Sequence, residues 1–129
     1  DKGRLPAPAG SAVNWSGAEV WPGSLAGAVR YAHAATGRTV LVSEHGVGSD
    51  DDAVRAAFIP PALAGLKAAM DDGVPVLGYC HWSLIDNFEW IFGYKPKFGL
   101  ATVDPVTFAR TPKPSAAVYG TIAKANALK

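Results

Sequence analysis

Three side chains between positions 82 and 90 have the chemistry of a sugar grip. Trp82 and Trp90 each offer a flat apolar face suited to the C–H surface of a pyranose, with one N–H donor, and Glu89 supplies a carboxylate that accepts hydrogen bonds from hydroxyls. They fall at the end of the strand-like run Val76 to Trp82 and on the loop beyond it, at a strand's carboxyl end, where a βα barrel keeps its active-site residues. Upstream, Glu44 closes a second β-branched run, Thr39-Val40-Leu41-Val42. Cleaving a glycoside with retention needs two carboxyl groups about 5 to 5.5 Å apart. One attacks the anomeric carbon; the other protonates the leaving oxygen and then activates water. A carboxylate at a strand tip that opens onto a barrel top fits the attacker.

The elements that must position these groups can be read from periodicity. Leu25, Ala28, Val29 and Ala32 form a helical stripe, which predicts a helix over Leu25 to Thr36 with Ser24 as N-cap and Gly37 as stop. Arg38 to Val42 reads as a short buried parallel strand ending at Ser43-Glu44. An acidic loop follows, and Asp51 or Asp52 caps a helix carrying Val54, Phe58, Leu63, Leu66 and Met70. Pro60-Pro61 interrupts that stripe; an internal proline costs about 3 kcal/mol, so a break is expected near Ile59. Asp71-Asp72-Gly73 ends this segment and Val76 to Trp82 forms the next strand. After a long loop, Ser83 to Lys97, come a short extended pair around Phe98 to Thr102 and Thr107 to Arg110, and a closing helix from Pro114 to Ala127.

The motifs themselves resemble a known family. Trp82-Ser83-Leu84, Asp86-Asn87-Phe88-Glu89-Trp90, Gly93-Tyr94, Phe98-Gly99-Leu100, Val103-Asp104 and Arg110-Thr111-Pro112-Lys113, followed by Ser115-Ala116, are together similar to the C-terminal signature of family 1 glycoside hydrolases, the retaining β-glucosidases, β-galactosidases and their relatives. Val42-Ser43-Glu44-His45-Gly46 resembles the nucleophile motif Thr-Glu-Asn-Gly, and Gly17-Ala18-Glu19-Val20-Trp21-Pro22 the run before the sixth barrel helix. The resemblance implies that Glu44 is the nucleophile, that Glu89 accepts from hydroxyls at the far end of the glycone, that Trp90 donates its indole N–H there, that Trp82 stacks on the sugar, and that Phe98 walls the site near the exocyclic carbon. It implies no cofactor and no metal. His45 departs from the usual Asn: turned inward and protonated, it would lower the pKa of Glu44, but strand alternation turns it outward. The acid/base glutamate of the family's Asn-Glu-Pro motif has no counterpart here, since the only other glutamates are Glu19 and Glu89.

Length sets the architecture. A complete (β/α)8 barrel takes about 250 residues, and this chain has 129. The expected fold is therefore α/β, the C-terminal part of a TIM barrel comprising the last two βα units and a closing helix, with residues 1–14 as an irregular lead-in. Its expected partners are a β-glycoside and the remainder of the barrel, from the same precursor or a companion chain; a non-catalytic sugar-binding or scaffold piece is the alternative. A net charge of +1 without a basic cluster argues against nucleic acid, and no apolar run reaches the ~18 to 20 residues of a membrane span. No export signal is in view, which favours the cytoplasm. The single cysteine, Cys80, is expected to be buried; His33, His45 and His81 lack metal-ligand spacing, and His81 should point to the helical layer. Asp86 and Asn87 should fix their loop, the Asp50-Asp51-Asp52 run should cap a helix, and Arg110 and Lys113 should pin the closing helix.

Overall fold

The computed structural model describes residues 6–128. The chain runs α1 (Gly23–Thr36), β1 (Val40–His45), α2 (Asp52–Asp71), β2 (Val76–His81), a 3-10 turn (Trp90–Phe92), β3 (Ala101–Val103), β4 (Arg110–Pro112) and α3 (Pro114–Ala125). β1 and β2 pair in parallel and β3 and β4 antiparallel. α2 is the crossover between the parallel strands and lies between α1 and α3. Helices cover one face of the parallel pair, and no closed barrel forms among the described residues.

Apolar side chains of both layers meet in one core. Leu25 and Val29 of α1, Val42 of β1, and Phe58, Ala62, Leu66 and Ala69 of α2 are all buried together. Each large member contributes roughly 1.5–3 kcal/mol on leaving water. Small residues set the helix spacing: a Cβ on Gly65 would stand 3.2 Å from that of Ala26. α2 is 20 residues long with a mean hydropathy of 1.2 in its most apolar window, the length and composition of a membrane span. In this fold its apolar stripe is used against α1, α3 and the sheet.

Element ends depart from the sequence reading in instructive ways. α1 starts two residues early, at Gly23, with Pro22 at the N-cap position and no side-chain cap, so Ser24 lies inside the helix. Its stop is as read, since Gly37 takes φ 64 and returns its N–H to His33 O. The break expected near Ile59 is absent. α2 runs unbroken through Pro60 and Pro61, because Phe58, Ile59 and Ala62 are buried on either side of them and tertiary packing outweighs the lost backbone bonds. β3 and β4 each begin three residues later than expected. Residues 1–5 of the expected lead-in lie outside the described residues; within the rest, Val13 bridges Glu19.

One irregularity matters most for the site. In the register of the parallel pair Val42 lies opposite Tyr79 and His45 opposite His81, three residues on β1 against two on β2. The extra residue is a β-bulge. Val42 is buried among the helices, and His45 stacks on Phe58 with ring centroids 5.0 Å apart. Ser43 and Glu44, between them, are both exposed. Strict alternation from Val42 would have aimed Glu44 at the helices; the bulge turns it to the open face instead.

Candidate active site

Glu44 is the penultimate residue of β1, at its carboxyl end. Its side chain is exposed and engages no hydrogen bond or ion pair among the described residues. The tip of β2 is fastened beside it: the Trp82 N–H donates to His45 O at 2.9 Å. A Cβ on Gly46 would lie only 1.8 Å from Trp82 O, so only glycine permits this approach. The Trp82–Ser83 peptide is cis. Ser83 then pairs with the segment leading to β3, giving its N–H to Phe98 O at 3.2 Å and accepting from Leu100 N at 2.9 Å. Glu44, Trp82 and Phe98 are thereby brought to one rim by backbone bonds alone.

Glu89 and Trp90 lie on the loop after β2, which polar side chains hold. The Ser83 hydroxyl lies 2.7 Å from Ile85 O and 3.1 Å from Asn87 Oδ1, one proton facing two acceptors. Asn87 Nδ2 in turn donates to a Glu89 carboxylate oxygen at 2.8 Å. Asp86 accepts from Gly99 N at 2.9 Å and from Lys113 Nζ at 2.8 Å, tying the loop to the start of α3. Asp86, Asn87 and Lys113 thus have the fixing roles expected of them. Trp90 is 80 % exposed and takes φ 48, a left-handed conformation for a bulky residue. Hydrogen bonds from Glu89 N to Gly93 O (2.7 Å) and from Gly93 N to Trp90 O (3.1 Å) hold it there.

Behind this rim sits a buried polar layer that the sequence reading missed. Arg55 is fully buried; it pairs with Asp52 and gives its guanidinium N–H groups to the carbonyls of Ser49 and Lys97. Asp52 also receives the N–H and hydroxyl of Ser115 at 2.8 and 2.7 Å. Burial alone would raise the Asp52 carboxyl, but the Ser115 hydrogen bonds and the Arg55 charge outweigh it and hold its pKa below the ordinary value. One ion pair thus joins the loop after β1, the loop before β3 and the N-terminus of α3. Asp51 does the capping, accepting from Ala53 N at 2.9 Å. The Asp52-x-x-Arg55 spacing on a helix was a usable signal for the pair; nothing local marks Ser115 as its third member.

The histidines and the cysteine divide by strand face. Tyr79 and His81 face the helical layer, as does His45, while Cys80 between them is exposed. The burial expected for Cys80 is therefore wrong: its position on β2 puts it on the face that no described residue covers. His33 Nδ1 donates to Arg38 O, 2.8 Å away. No group of metal-ligating side chains occurs among the described residues.

A parallel βαβ unit with an acid on one strand tip, an indole at the end of the next and a carboxylate on the loop beyond has the form of a segment of a β/α barrel. Comparison with known proteins agrees with that class. The model for glycosyl hydrolase family 1 matches residues 11–128. The galactolipid galactosyltransferase SFR2 of Arabidopsis thaliana is 45% identical over 85 residues, 65% of this chain and 14% of that protein. A β-galactosidase of Sulfolobus acidocaldarius is 38% identical over 92 residues, 71% of this chain and 19% of its own length. Among solved structures, a β-glycosidase from Pyrococcus horikoshii superposes with a TM-score of 0.89 at 38% identity, over 97% of this chain and 29% of that one. The chain belongs to glycosyl hydrolase family 1, and its fold is part of that family's TIM barrel. It spans less than a third of the relatives it matches.

Proposed function

We propose that this chain supplies the nucleophile and the glycone-binding wall of a retaining β-glycosidase. The observation that carries the reading is the β1 bulge, which leaves the Glu44 carboxylate exposed beside the strand tip bearing Trp82. Glu44 Oε attacks the anomeric carbon of a β-glycoside, an ester bond to the sugar forms, and the bond to the leaving oxygen breaks with its electron pair. A carboxylic acid from the part of the barrel beyond this chain protonates that oxygen. The same group then takes a proton from water as the water oxygen replaces Glu44 on the anomeric carbon. Trp82 stacks on the sugar, Glu89 and Trp90 hydrogen-bond its hydroxyls, and Phe98 walls the pocket. The left-handed backbone at Trp90 supports this, because a residue so exposed gains nothing from packing that would offset the strain.

Partners on this reading are the glycoside and the remainder of the barrel. The alternative is a scaffold piece that binds sugar without cleaving it. An activated 2-deoxy-2-fluoro-β-glycoside separates the two, since its leaving group needs no protonation and its fluorine slows release of the glycosyl-enzyme. The expected result for the protein carrying this chain is stoichiometric covalent label on Glu44, abolished by Glu44→Gln. Label on another residue, or sugar affinity without any label, would defeat the assignment.

A further inference from the structure

Three polar side chains meet behind Glu44 and take no part in gripping sugar. The Tyr79 hydroxyl lies 3.0 Å from His45 Nδ1, 3.1 Å from His81 Nδ1 and 3.3 Å from His45 O. The outer ring nitrogens, His45 Nε2 and His81 Nε2, are buried and have no partner. Phe58 and Arg55 of α2 and Tyr119 of α3 close the cluster from the helical side, Tyr119 standing 5.6 Å from His81 and 6.1 Å from Tyr79 between ring centroids.

We propose that Tyr79, together with His45 and His81, is a positioning residue for Glu44, locking the bulge that aims its carboxylate out of the sheet. The inference rests on Glu44 being the nucleophile. Tyr79 has one proton and two lone pairs, and three neighbours compete for them. If either ring accepted the Tyr79 proton at Nδ1, its own proton would sit on Nε2, a buried donor with nothing to receive it. One arrangement pairs every polar hydrogen. Both rings are neutral, each carries its proton on Nδ1 and donates to Tyr79, and Tyr79 donates to His45 O. Burial of the rings agrees, holding both below the usual imidazole pKa; His81 falls to about 4, by burial first and then because a proton there would be repelled by a protonated His45 and by Arg55.

The link to Glu44 runs through one carbonyl. His45 O receives Tyr79 O–H and also Trp82 N–H, so the peptide that follows Glu44 is fixed to both the network and the neighbouring strand tip. With the His45 ring stacked on Phe58, the residue after Glu44 cannot rotate without breaking contacts at both ends. Displacing a reacting group by about 1 Å costs up to roughly a hundredfold in rate, so the network acts on chemistry while leaving the sugar grip untouched.

The test uses the protein carrying this chain, with dinitrophenyl 2-deoxy-2-fluoro-β-glucoside and its β-galactoside counterpart as probes, and peptide mass spectrometry to locate the label. In Tyr79→Phe the saturating rate of labelling should fall about tenfold, while the half-saturating concentration and the final labelled fraction stay as in the parent. His81→Leu, which removes one donor and keeps Tyr79, should lower that rate about threefold. An unchanged rate in Tyr79→Phe overturns the inference, as does a loss of labelled fraction alone, which is what a merely structural role would give. Should Tyr79→Phe fail to fold, His81→Leu and the parent protein still decide: long-range 1H–15N spectra of the parent should show Nδ1–H on both rings, and Nε2–H on either refutes the network. Label away from Glu44 in the parent sinks the nucleophile reading itself, a failure distinct from label on Glu44 at equal rates in parent and variant.

Discussion

Gly46→Ala tests the juxtaposition on which the site depends. The added methyl would stand 1.8 Å from Trp82 O and 2.9 Å from Trp82 C, both backbone atoms that no side-chain rotation can move away. Cβ atoms do not come closer than 3.0 Å to such neighbours, so the tip of β1 and the start of the β2 loop must separate by more than about 1 Å. Forcing strained shifts of that kind costs about 1–3 kcal/mol in stability. The hydrogen bond from Trp82 N to His45 O, 2.9 Å long, lies directly in the path and is lost or stretched. Glu44 and Trp82 then no longer face one sugar in register, and the labelling rate with an activated 2-fluoro glycoside should drop about a hundredfold. Urea unfolding measures the first effect and the labelling time course the second. A Gly46→Ala protein with parental stability and parental labelling would show that the two strand tips do not approach as described.

Three further outcomes follow from the same geometry. Asp52→Asn leaves Arg55 a buried charge without its carboxylate and should cost about 3–5 kcal/mol by urea unfolding; a change under 1 kcal/mol would mean the pair is not buried. Stability should fall with acid, because His45 and His81 take up protons more readily unfolded than folded. For His81 the loss begins below the ordinary imidazole value of 6.5 and is complete near the folded value of about 4. At full burial that displacement is worth roughly 3 kcal/mol, and about 2 kcal/mol after allowing for partial exposure; in a His81→Leu protein this portion of the pH dependence should vanish from urea curves recorded at successive pH values. Trp90→Ala removes a side chain that is 80 % exposed, so stability should change by less than about 0.5 kcal/mol. Sugar affinity by calorimetry should nevertheless fall; a parental affinity would remove Trp90 from the site.

Much of this arrangement could be read from residues because it is local. Gly37 ends α1 for want of a Cβ, Glu44 lies at a strand's carboxyl end because the β-branched run stops there, and Ser83, Asn87 and Glu89 anchor one another within a few positions. What escaped reading depends on partners distant in the chain. Pro60-Pro61 looks like a helix break until the packing of Ile59 and Ala62 is known. A lone arginine in a helix reads as a solvated surface residue, yet Arg55 is buried because Ser49, Lys97 and Ser115 converge on it or on its carboxylate. Cys80 was misjudged by composition, which cannot tell one face of a strand from the other.

The bulge in β1 also makes segment length, rather than residue identity, the parameter to guard. Removing Ser43 would leave two residues of β1 against two of β2, with Val42 and His45 still toward the helices and Glu44 still on the open face, whereas removing Leu41 would set Val40 beside Val42 and turn one of the two out of the core. Deleting residue 41, or inserting one beside Glu44, should therefore be far less tolerated in engineered variants than a point change at Ser43, whose side chain is exposed.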